Sequence, residues 1–115
     1  MSTPDPARLL TLAEQILAGD VDTPRARSSR SAAILGRTAL ERLVQDLCAR
    51  HGLEVSAASM RVQLACLSAV TPSVASEANM AWWGLSRACH QHAYEIAPSH
   101  DEVRRFLTRV RQLSG

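Results

Sequence analysis

Apolar residues recur along this chain at helical rather than strand spacing, and five amphipathic segments stand out. The first is predicted to start with Asp5 as N-cap and Pro6 at the first helical position, and to run to Gly19 with Leu9, Leu12, Ala13, Ile16 and Leu17 inward. Residues 20–30 are polar and contain Pro24, which reads as a linker. A second helix is expected from about Ser31 to His51, burying Leu40, Leu43, Val44 and Leu47, with Gly52 as a left-handed cap. A third begins near Ser56, buries Met60, Leu64 and Leu67, and ends before Pro72. The fourth runs from Ser73 into the 90s, where Pro98 stops it. The fifth opens with Ser99-His100-Asp101-Glu102, a capping box, and buries Val103, Phe106, Leu107 and Val110.

No segment alternates with period two, so the expected fold class is all-α: an antiparallel bundle of four to five helices. A chain of 115 residues is long enough for one continuous core and too short for two. Residues 31–115 are assigned to the bundle core and the helix at 5–19 to an N-terminal extension. The predicted core is aliphatic, because 46% of the chain is hydrophobic and only 3% aromatic. Its members are Leu40, Leu43, Leu47, Leu64, Leu67, Leu85, Phe106 and Leu107.

Charge alters this picture little. The formal net charge is +2, too near neutral to mark a nucleic-acid binder by itself, and all 13 basic residues are Arg. Cys48, Cys66 and Cys89 lie far apart without a Cys-x-x-Cys unit, which argues for reduced thiols and a cytoplasmic location. The opening MSTPDPARLL has no basic start followed by an apolar run, so no secretory leader is expected. No apolar stretch approaches the roughly 18 residues that span a bilayer, and no membrane association is expected.

Candidate chemistry concentrates late in the fourth segment, which reads Trp82-Trp83-Gly84-Leu85-Ser86-Arg87-Ala88-Cys89-His90-Gln91-His92-Ala93-Tyr94-Glu95. At roughly 100° per residue Arg87, Gln91 and Tyr94 share a face, whereas His92 lies about 140° from Arg87 on a straight helix. Convergence of Arg87 and His92 therefore requires a kink or a symmetry mate. Four readings compete. His92 is a core histidine bonded to a carbonyl and Arg87 a surface charge. Or Cys89, His90 and His92 hold a metal, against which residues two apart point about 200° around the helix. Or Cys89 is a nucleophile paired with a histidine, which needs a third group to orient the base. Or a histidine moves protons while an arginine fork holds a phosphodiester, which needs no metal if the substrate's own 2′-hydroxyl attacks, restricting the substrate to RNA.

The stretch from Arg87 to Tyr94 has the form R-x4-H-x-Y, and it resembles the signature of HEPN domains, which are small all-α bundles. SAAILGRTALERLVQDLC at residues 31–48 is similar to the early helix of that family, and WWGLSRACHQHAYEIAP at 82–98 to its motif-bearing segment. The resemblance covers about residues 31–110. It departs at Ala88, where members often carry a polar residue. It implies a metal-independent endoribonuclease without a cofactor, acting as a homodimer with motif residues of both subunits in one cleft. Arg87 is then the phosphate grip and His92 the acid or base. Tyr94 matches the tyrosine to which a minimal nucleotidyltransferase antitoxin attaches AMP, so toxin–antitoxin or phage-defence work is implied. His90, Gln91 and Glu41 are site-lining candidates.

Each of these residues also has a plainer role. Glu41 four residues after Arg37 fits a surface ion pair, or it orients Arg87 from a facing helix. His90 fits a solvent-facing residue. Gly84 and Ala88 form a small-residue step that suits packing within the chain as well as a dimer seam. Trp82 and Trp83 point about 100° apart, so one belongs to the core and the other to a candidate interface. The arginines at 25, 27 and 30, with 104, 105, 109 and 111, make either a solvated face or an RNA footprint. The rival functions are a catalytically silent HEPN-like dimer that binds RNA or nucleotide or serves as an interaction module, and a helical DNA-binding regulator. Against the last, no helix–turn–helix spacing is evident.

Overall fold

Four of the five helices start or stop where a capping side chain or a left-handed glycine provides for backbone groups that a helix end leaves open, and the fourth in chain order opens on Pro72 instead. The computed structural model describes residues 5–20, 25–90 and 99–114. It contains α1 (Pro6–Ala18), α2 (Arg25–Arg50), α3 (Met60–Val70), α4 (Pro72–Cys89) and α5 (His100–Ser114), and no strand among the described residues. The Asp5 carboxylate accepts from the Ala7 amide (3.2 Å) and Pro6 opens α1. Gly19 closes it at φ 84°, letting the Asp20 amide donate to the Gln15 carbonyl (3.0 Å). Gly52, at φ 72°, does the same service after α2. Ser59 caps α3 through the Val62 amide (3.3 Å), and Ser99 caps α5 through the Glu102 amide (3.1 Å).

The all-α bundle is as expected, but three boundaries move. α2 begins at Arg25 rather than Ser31, so most of the expected linker is helix. Its first turns bury small residues, Ser28, Ser29, Ala32 and Ala33, while Arg27 and Arg30 stay exposed. A helix face built from Ser and Ala carries little hydrophobic signal. α3 begins at Met60 rather than near Ser56, because Ser59 is the residue whose hydroxyl caps it. α4 ends at Cys89, with His90 as its cap at φ −106°, instead of continuing into the 90s. Gln91, His92 and Tyr94 lie outside the described residues.

α2 is the central element and packs against the other four helices. α4 and α5 run antiparallel, with Glu77 opposite Arg109 (2.8 Å) and Gly84 opposite Phe106. The inner face of α4 is Ala75, Ala78, Ala81, Leu85 and Ala88, all buried, which brings its backbone close to its neighbours. Two glycines extend this close fit. A Cβ on Gly36 would overlap a methyl group of Leu107, and one on Gly84 would overlap the edge of the Phe106 ring. The small step at Gly84 and Ala88 thus serves packing within the chain.

α1 is an integral wall and not an appendage. Leu9, Leu10, Ala13, Ile16 and Leu17 are buried against α2 and α5, and each leucine so covered contributes about 1.5–3 kcal/mol. The expected stripe errs at one position: Leu12 is 39% exposed, and Leu10, at 0%, takes its place. Arg111 of α5 clasps Glu14 of α1. Of the eight predicted core residues six are buried, while Leu47 and Phe106 are half-buried and packed against them.

Candidate functional site

Residues 30, 34, 37 and 41 recur at helical spacing, which puts Arg30, Ile34, Arg37 and Glu41 in one row along α2. That row faces the C-terminal end of α4, where Cys89 and His90 complete a recess of about 330 Å³. Arg37 is its hub. The guanidinium lies over the Trp82 ring, 4.2 Å from the centroid, within the range of a cation–π contact worth about 0.5–2 kcal/mol. Arg37 Nε pairs with Glu41 (3.5 Å), and Arg37 Nη1 donates to Nε2 of the exposed His90 (3.2 Å). A guanidinium has no acceptor, so in this contact the imidazole Nε2 is the accepting atom. Three partners on two helices fix one cation in place.

Cys89 lies beneath this cluster. Burial pushes its thiol above the ordinary range, and attraction and hydrogen bonding from Arg37 oppose that only in part. Burial likewise raises Cys48, with a smaller push from nearby Cys66. Both are kept as thiols near neutrality, which weakens the reading of Cys89 as a nucleophile. Among the described residues, no group of three or more His, Cys, Asp or Glu side chains is placed to hold a metal.

Arg87 is exposed in the last turn of α4, where a cation favours the helix dipole. Glu41 pairs with Arg37, and no ion pair joins it to Arg87. The recess thus gathers Glu41 and His90 from the expected site residues. It adds Arg30, read from the sequence as a solvated face or an RNA footprint, and Arg37, read only as the ion-pair partner of Glu41. Trp82 is half-buried and Trp83 is 55% exposed, the division expected from their angle. Both line a second cleft, about 490 Å³, between α3 and α4, whose walls also include Arg61, Leu64, Ser76 and Asn79.

Chemically, the α4 end offers the fixed Arg37 guanidinium and the exposed Arg30 with a single carboxylate among them, a setting for an anion such as a phosphodiester. No known protein family, curated protein or solved structure matches the chain. Among the described residues no helix is long and apolar enough to cross a membrane.

Proposed function

We propose that the chain is a HEPN-type, metal-independent endoribonuclease that works as a cytoplasmic homodimer, with Arg87 gripping the scissile phosphate and His92 moving a proton. The observation that carries this reading is the arginine-lined recess of Arg30, Arg37, Glu41 and His90 at the end of α4, immediately before the segment that holds His92 and Tyr94. An arginine held by an indole, a carboxylate and an imidazole needs little reorganisation to meet an anion, which is what stabilisation of developing charge requires. In the reaction the substrate's 2′-hydroxyl loses its proton to a base and attacks phosphorus. The 5′-oxygen leaves with a proton from an acid, and the product is a 2′,3′-cyclic phosphate. A minimal nucleotidyltransferase acting on Tyr94 is the partner that fits, and it would place a bulky anion beside the motif.

The test is RNA cleavage by the purified wild type beside Arg87→Ala and His92→Ala. Each substitution is expected to cost on the order of 10²-fold, as for loss of a charge clamp or a proton carrier. The double variant is expected to be little worse than either single, because groups acting as a unit are non-additive. A wild type that cuts no RNA, or variants that cut equally well, refutes the assignment. A second reading, a catalytically silent interaction module, draws on the exposed Met80 (49%) and Trp83 on α4. It predicts altered partner binding in Trp83 variants and no nuclease activity in any protein.

A further inference from the structure

We propose that the cleft between α3 and α4 is a nucleotide site, in which a base stacks against Trp83 and the attached phosphate meets Arg61. The chain has 2 Trp residues, and both line this one cleft. Trp83 lines the cleft and is 55% exposed, so much of its indole is accessible to a ligand there. Arg61 of α3 is exposed and makes no ion pair among the described residues. Among the described residues no carboxylate lines the cleft, and the formal charge they bring to it is positive. Asn79 and Ser76 supply donors and acceptors for the edge of a ring. At about 490 Å³ the space falls in the range of small-molecule sites.

Aromatic walls, one unneutralised cation and no acid select a planar anion, and a base with its phosphate is the common biological form of one. An apolar peptide helix would gain nothing from Arg61. The cleft also adjoins the arginine-lined recess, because Trp82 lines one and carries Arg37 on its ring in the other. Arg87 lies one helical turn beyond Trp83. A strand whose scissile phosphate sits at Arg87 could therefore place a neighbouring base against Trp83, making Trp83 and Arg61 specificity-determining residues. Only this last placement rests on the ribonuclease reading.

The two indoles make the experiment direct, since both tryptophans line this cleft and substitution at Trp83 separates its signal from that of Trp82, which also carries Arg37. The full chain is titrated with AMP, GMP, CMP and UMP, with the matching nucleosides, and with a short single-stranded RNA that lacks a cleavable 2′-hydroxyl. A saturable change in emission is expected with nucleotides or with the strand. By calorimetry Trp83→Ala should weaken binding about tenfold, the usual scale for losing one stacked base, and Trp83→Phe should recover most of it. Arg61→Gln should weaken nucleotides but leave nucleosides unchanged. Binding of the strand alone, with the same dependence on Trp83 and Arg61, assigns the base to RNA. Binding of free mononucleotides assigns it to a soluble ligand. No saturable change with either, or binding indifferent to both substitutions while circular dichroism is unchanged, overturns the proposal. Emission that shifts with protein concentration alone gives the cleft to a second copy of the chain and overturns it too. These readouts need no cleavage, so a protein that cuts no RNA leaves them intact.

Discussion

Leu10 and Leu12 lie two residues apart on the same short helix, and their substitution by alanine separates a docked α1 from a loose one. Leu10 is 0% exposed and Leu12 39% exposed. Truncating a fully enclosed leucine loses its transfer free energy and leaves a cavity, typically 2–5 kcal/mol. About 3 kcal/mol is expected here, because α2 and α5 both back the site and leave little room to collapse. Against a total stability of about 5–15 kcal/mol this is a large fraction. At about 4 °C per kcal/mol for a domain of this size, Tm should fall by about 12 °C in Leu10→Ala. Leu12→Ala should stay within about 0.5 kcal/mol of wild type, since an exposed position loses little and alanine is the best helix former. Urea denaturation followed by circular dichroism reads both, with one cooperative transition in each case. Equal effects, or a Leu10→Ala protein whose main transition is unmoved, would show that α1 is not part of the core.

Gly36→Ala should lower stability by about 1 kcal/mol in a thermal melt, because overlap with the fully buried Leu107 costs more than the roughly 1 kcal/mol gained in helix propensity; a more stable variant contradicts the packing described. Ellman's reagent should find one fast thiol, Cys66, and two slow ones, Cys48 and Cys89, and three equal rates would refute their burial. Because burial raises the latter two above the ordinary value of 9.0, the folded state holds their protons more tightly. Their contribution is intact below that pH and is lost as pH climbs past it, so Tm should drop on the alkaline side, and a flat profile there would count against the shifts. Light scattering at micromolar concentration should report a dimer, and a monomer at every concentration removes the shared cleft from the proposed mechanism.

The helices were legible because their ends are written locally: Asp5 with Pro6, Gly19, Gly52 and Ser99 act through bonds to residues a few positions away. What escaped is what depends on neighbours distant in sequence. The early turns of α2 look like linker until other helices cover Ser28, Ala32 and Ala33. Leu10 and Leu12 are equally apolar, and only the placement of α2 and α5 decides which of them faces in. The same holds at the site. Glu41 beside Arg37 was readable as an i,i+4 pair, and that pair is present. The meeting of Arg37 with Trp82 and His90 joins residues more than forty positions apart, which no local spacing encodes.

The central claim is tested most directly by one substrate. An end-labelled single-stranded RNA is incubated with the purified protein in EDTA, beside an otherwise identical strand carrying 2′-deoxy sugars at the cleaved positions. Attack by the substrate's own hydroxyl predicts cutting of the first strand to a 2′,3′-cyclic phosphate end, and an intact second strand. No cutting of the RNA, cutting that EDTA abolishes, or equal cutting of both strands would contradict it.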